Sequence, residues 1–393
     1  APAMVGHRLD LAQNVGVALF SLLLAAVTTV LLEQPVRRSQ WLSARTARGL
    51  VTGGALSLGA AALAVLMVAS VPPPVGSGHA VAAPLVAVPA AAAGTTSTLP
   101  AGVAKADGLD ARVNQLVVQS LATAQVPANL TPSLAEASGD VPVPFDDGCF
   151  DGFTDATVHH CLFGDTTSSR TIVLFGDSHA LQWFPAIDAL ANQQQDALVV
   201  MAKATCPPID IPIYSPDLGR PYTECDEWRS AEMERMAALH PAVVILGFSR
   251  EYGIATDHVV VDGRAWLSGL REMITAIQQD TGAKVVLMGD DPYPQQSVPD
   301  CLSQHLSDTG ACPIPKHYPY YNPSGIPQER AVATSTGAGY VDTDPWFCGV
   351  SSCAVVVGNL LVYRDDNHIT ASYASWLTPA IGARLAVVTG GDF

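Results

Sequence analysis

The chain has 393 residues, 49% of them hydrophobic and only 14% charged, with a formal net charge of −16. Residues 1–100 carry five arginines against two acidic residues, so the acidity lies in the remainder. The length suits two or three domains, and a strongly acidic, arginine-poor body argues against nucleic acid as a partner.

Residues 11–32 and 50–71 are apolar stretches without a charge. Each approaches the roughly 20 residues that cross a bilayer as a helix. Arg37, Arg38, Arg45 and Arg48 lie between them; an excess of arginine in a short loop marks the cytoplasmic side, which places everything after residue 71 outside. A cleavable signal peptide is the rival reading of the first stretch, disfavoured by the second span and the basic loop. The expectation is a membrane hairpin over 1–71 in a multi-pass cytoplasmic-membrane protein, with the lipid bilayer as a partner. Because the chain begins with Ala1 and not Met, it reads as a piece of a longer protein.

Residues 72–107 are dominated by Ala, Pro, Val, Gly and Ser and predict an extended extracytoplasmic linker. Val113, Leu116, Val117 and Leu121 recur at helical spacing, so an amphipathic helix is expected over 107–126, and the folded domain, 108–393, starts there. Residues 127–144 form an irregular, proline-punctuated entry.

Ile172, Val173, Leu174 and Phe175 form a short apolar run ended by Gly176, as a strand buried on both faces of a parallel sheet does. Asp177 and Ser178 then stand at a strand-to-helix turn, with helical spacing over 180–191. The serine hydroxyl is thereby offered at the carboxyl edge, where open α/β sheets bind ligands. Further runs at 197–202, 243–246 and 284–288 alternate with helical segments at 224–239 and 265–281. That alternation predicts a three-layer α/β/α sandwich with a parallel sheet.

A serine at such a turn is a nucleophile only with a base in reach. Residues 363–370, YRDDNHIT, place Asp365 and His368 three apart, before a segment that Thr370 or Ser372 would cap. A G-D-S after the first strand and a D-x-x-H before the last helix together resemble the SGNH (GDSL-type) hydrolase family. The resemblance implies Ser178 as nucleophile, His368 as base and Asp365 as orienting acid, with Asp366 as the adjacent alternative. Residues 32–38, LEQPVRR, resemble the end of the last core helix of the acyltransferase-3 membrane family, which often carries a C-terminal SGNH domain after one more span. The same seven residues also read as a polar helix end with Pro35 as a stop. Segments like 146–149 lead into SGNH domains of such fusions.

The family's oxyanion donors are the serine amide, a glycine after the second strand and an asparagine after the third. Here the second position falls at Ala204 or Thr205 and the third at Ser249 or Arg250, with no G-x-N. An amide serves at any residue but proline, whereas the third donor would come from the Ser249 hydroxyl or the Arg250 guanidinium. His179 reads as a substrate contact or a locally packed helix residue, and Asp177 as a helix cap. Trp183, Trp228, Trp266 and Trp346 are candidates for a sugar cleft or for core. Residues 292–327, rich in proline and tyrosine, read as a lid or rim.

All eight cysteines, Cys149, Cys161, Cys206, Cys225, Cys301, Cys312, Cys348 and Cys353, lie in the part placed outside. An even count there fits disulfides. Sequential pairing closes four short loops, although eight cysteines permit 105 connectivities. With no C-x-x-C pair, no metal is expected.

The leading expectation is an O-acyltransferase acting on a cell-surface polysaccharide or glycolipid. The resemblance implies an upstream acyltransferase-3 domain that takes an acyl group from acyl-CoA; the external domain itself needs no cofactor. A tethered esterase or deacetylase, and a silent carbohydrate-binding domain, are the alternatives.

Overall fold

The computed structural model describes residues 11–37, 39, 45–70, 73–79, 81–84, 86, 100–250, 252–254, 263–294, 296–316 and 325–393. Arg38, residues 87–99 of the expected linker, and Tyr318, Tyr320 and Tyr321 of the expected rim lie outside these residues. The chain divides into two units, Ala1–Pro74 and Val75–Phe393.

In the first unit, helix α1 (Leu11–Thr28) runs through a π-type turn at Thr29–Glu33 into a last turn, Gln34–Arg37. Pro35, which has no N–H to give, sits within that last turn, and a π-type turn is one of the usual ways a helix absorbs such a residue. Helix α2 spans Thr46–Ser70. Residues Asn14–Val36 and Thr46–Leu66 are long and apolar enough to cross a membrane.

The second unit is built on a six-stranded sheet: β1 (Cys161–Gly164), β2 (Thr171–Gly176), β3 (Ala197–Ala202), β4 (Val243–Gly247), β5 (Lys284–Met288) and β6 (Gly339–Val341). Their spatial order is β1-β3-β2-β4-β5-β6. Five strands are parallel, and β1 is antiparallel to β3. The expected parallel α/β sandwich thus carries one antiparallel strand at its edge. β1 was not legible because its run, CLFG, is only four residues long.

Alternate residues of each strand face opposite layers, as the two-residue period requires. Ile172, Leu174, Leu198, Val200 and Ile245 pack into one core, and Val173, Phe175, Val199, Met201, Val244 and Leu246 into the other. Each such fully buried aliphatic or aromatic side chain contributes about 1.5–3 kcal/mol over its exposed form. The first core is covered by helices α3 (Ala101–Ser120), α5 (Phe184–Gln194), α10 (Ala371–Trp376) and α11 (Thr378–Val388). The second is covered by α6 (Thr223–Leu239) and α7 (Arg264–Thr281), with Val332 of α9 (Gly325–Thr336). Helix α8 (Val298–Gln304) lies between them in the chain.

Parts of the expected linker are structured. Helix α3 begins at Ala101, ahead of the amphipathic pattern. Gly78 donates to Val126 and accepts from Ala128, Pro84 accepts from Trp376 Nε1, and Val86 is buried, so these residues are strapped onto the folded unit. Backbone hydrogen bonds hold this segment, and these leave no mark in composition. The four disulfides are 149–161, 206–225, 301–312 and 348–353, the sequential set.

Candidate active site at the carboxyl edge

Ser178 opens a one-turn helix, α4 (Ser178–Leu181), directly after β2. The expected continuous helix over 180–191 is broken at Gln182–Trp183, because Pro185 belongs in the first turn of a new helix. Two glycines allow α4 to sit this low on the sheet. A Cβ on Gly176 would lie 1.9 Å from the Gly247 carbonyl oxygen, and one on Gly247 would lie 2.7 Å from Ala180 Cα. Gly247→Val is therefore expected to displace α4, lowering stability by about 1–3 kcal/mol and slowing covalent labelling of Ser178; unchanged melting and labelling would show that α4 does not depend on this close approach.

Asp177 is fully buried and acts as the cap. Its Oδ1 accepts from His179 N at 2.7 Å, and its Oδ2 accepts from Ser249 N at 2.9 Å and from the Tyr252 hydroxyl. Burial pushes its carboxyl up. With the Asp177 oxygens engaged in these bonds, the Ser178 amide donates to no protein acceptor among the described residues and remains available at the helix start.

His368 lies on the loop before α10. Its Nδ1 donates to Asp365 Oδ2 at 2.9 Å, while Asp365 Oδ1 accepts from His368 N at 2.6 Å and Asn367 N at 3.0 Å. Arg364 Nη1 lies 3.3 Å from Asp365 Oδ2. Burial opposes the Asp365 charge, but the His368 hydrogen bond and neighbouring charges outweigh it and hold the carboxyl at about 2. Burial pulls His368 below its ordinary value. Its Nε2 is buried and has no hydrogen-bond partner among the described residues. The His368 ring centroid is 4.9 Å from that of His179, the residue after Ser178. His368 thus lies beside the residue that follows Ser178, and no hydrogen bond joins Ser178 Oγ to His368 Nε2 among the described residues. Asp366 is exposed.

At the end of β3, Thr205 has φ +46°, the left-handed region that favours glycine. The resemblance places a glycine at this point, and the backbone keeps the glycine conformation although the side chain is threonine. Cys206, tied to Cys225, and the bond from the Tyr222 hydroxyl to Ala204 O hold this turn. Thr205 Oγ1 is buried without a partner among the described residues. At the end of β4, Ser249 Oγ contacts the Tyr293 hydroxyl at 2.5 Å. Arg250 turns away from this edge: its Nε and Nη2 reach Glu329 Oε2 at 3.0 and 2.5 Å in a buried ion pair. The four tryptophans are all buried, so they form core and not an open sugar cleft.

Sequence reasoning did not assign Gln182, Asp290, Asp291 or Tyr293. His179 Nδ1 is 2.7 Å from Asp290 Oδ1 and 3.3 Å from Asp291 Oδ1, and its ring stacks on Tyr293 at 5.4 Å. Gln182 Nε2 donates to Asp291 at 2.7 Å while its Oε1 accepts from Ile369 N at 3.1 Å, linking the nucleophile segment to the His368 loop. The available signal was an acidic pair at the carboxyl end of β5, the edge that already carried Ser178. Asp151, Asp155 and His159 form another His–carboxylate group, with Asp151 engaged by His159 at 2.5 Å and Trp228 Nε1 at 2.7 Å. Asp290 Oδ2 and Asp291 Oδ2 are buried without a hydrogen-bond partner among the described residues, and neither group is assigned to a metal.

Among solved structures, the lipopolysaccharide acetyltransferase periplasmic domain of Salmonella ser. Paratyphi A is similar at 20% identity, covering 56% of this chain and 84% of that one with a TM-score of 0.44. A GDSL-like lipase from Parabacteroides merdae is similar at 10% identity, covering 57% of this chain and 97% of that one with a TM-score of 0.33. No curated protein sequence matches. The family model described as the SGNH domain fused to AT3 domains matches residues 147–383, more than half of the chain and the whole of the sheet that carries Ser178 and His368. The chain belongs to this SGNH-domain family.

Proposed function

We propose that the chain is the external acyl-transfer part of a membrane O-acyltransferase that modifies a cell-envelope carbohydrate or glycolipid. The observation that carries this reading is the buried Nε2 of His368, without a partner among the described residues, with Asp365 pinned on Nδ1 and the ring beside that of His179, which follows Ser178. The pair of spans and the four disulfides support a domain outside the cytoplasmic membrane. An upstream acyltransferase-3 domain supplying the acyl group from acyl-CoA completes the proposal, as the family's fusion to AT3 domains suggests.

In the proposed reaction, His368 Nε2 takes the Ser178 hydroxyl proton as Oγ attacks the acyl carbonyl. The Ser178 and Thr205 amides meet the oxyanion. Collapse breaks the bond to the donor group, which leaves with the proton from His368, and the acyl group stays on Ser178. The acceptor sugar hydroxyl then gives its proton to His368 and attacks the ester; Ser178 leaves and recovers that proton. Water in place of the sugar would make the same site an esterase.

A serine-reactive fluorophosphonate applied to the full chain in membranes is expected to modify Ser178, read by mass spectrometry of its peptide. A site that stays unmodified overturns the serine relay and leaves the carbohydrate-binding alternative. Rapid release of acetate from acetylated sugars without transfer would assign the esterase.

A further inference from the structure

His179 follows the proposed nucleophile and is 1% exposed, yet it carries two carboxylates, Asp290 at 6% and Asp291 at 0% exposure. An imidazole at 2.7 and 3.3 Å from two buried carboxylates is held most stably as the imidazolium. We propose that His179, clamped by Asp290 and Asp291, is a positioning residue that holds a fixed positive charge against His368 and so keeps the base in its proton-accepting form. The inference rests on the serine relay proposed above.

The geometry gives the charge a direct route to the base, since the two ring centroids are 4.9 Å apart, close enough for strong coulombic coupling. Burial opposes the charge on His179, but the two aspartates outweigh it and raise its pKa well above the ordinary value. On the His368 side, burial lowers the pKa first, the Asp365 hydrogen bond raises it, and the charges of His179 and Arg364 lower it. Around this pair, Asp177 lies across the turn from His179, and Asp140 acts on Arg364. Tyr293 stacks on the far side of His179 and touches its Nε2 at 3.4 Å. Asp365 alone would favour a protonated His368; the charge on His179 is the opposing influence from the nucleophile helix. The same charge makes the His368 imidazolium a stronger acid when the donor group must leave.

The sign of the test follows. Removing the positive charge lets His368 hold its proton to higher pH, so the acid limb of the Ser178 labelling profile moves upward. With the full chain in membranes and a fluorophosphonate as probe, His179→Gln is expected to raise the apparent pKa of that limb by about one unit, or about tenfold slower labelling on its acid side. His179→Asn, a smaller neutral amide in the same clamp, is expected to move it the same way, and decides the matter if the glutamine variant does not fold. A merely structural role would change the plateau and leave the limb in place. Labelled variants with an unmoved limb overturn the role of His179 alone, whereas a wild-type chain never labelled at any pH overturns the serine relay itself.

Discussion

Ser178→Ala is expected to reduce acyl transfer to the uncatalysed background, a loss on the order of 10⁶-fold in turnover. Asp365→Asn is expected to cost roughly 10⁴-fold. The difference follows from the site. Without Ser178 Oγ no acyl-enzyme forms, while without the Asp365 charge the ring remains but loses the partner that fixes Nδ1 as its donor. Asp365 also accepts from two loop amides, and an asparagine oxygen can keep those bonds, so the loop itself should persist. Because the residues act on one step, the double variant is expected to be no worse than Ser178→Ala. The measurement is the acyl content of envelope carbohydrate in cells carrying each variant. Acylation retained by Ser178→Ala would rule out the serine as acyl carrier.

Much of this site could be read from local sequence. The strands at 171–176, 197–202 and 284–288 begin and end within a residue of the apolar runs that predict them, because strands buried on both faces are continuous in hydrophobicity. Asp365 and His368 are legible because three residues of one loop bring them together. What stayed hidden depends on distance along the chain. His179 meets Asp290 across 111 residues and Gln182 meets Asp291 across 109, and no periodicity encodes such a pairing. Short elements were lost for another reason: β6 has three residues, too few for an alternation. At Thr205 the residue type itself misleads, since the backbone takes a conformation usually assigned to glycine.

Arg250 shows how the third dimension can reassign a residue, and it carries the largest expected effect on stability. Read from the chain, it follows β4 where an oxyanion donor was sought; in the fold its guanidinium lies against Glu329, with both side chains at most 5% exposed. Trp266 Nε1 lies 3.4 Å from Glu329 Oε1. Glu329→Ala would strand a buried guanidinium and is expected to cost about 3–5 kcal/mol, lowering the melting temperature by on the order of 10 °C. Replacing both partners with apolar residues, Arg250→Met with Glu329→Leu, removes the charge along with its partner and is expected to recover most of that loss, since buried pairs repay little more than their own desolvation. The double variant also separates structure from chemistry. If the ion pair only anchors the turn that carries Ser249, fluorophosphonate labelling of Ser178 should stay within a few-fold of wild type. If Arg250 instead swings to the oxyanion during the reaction, the stable double variant should still lose on the order of 10²–10³-fold, the usual cost of one missing oxyanion donor.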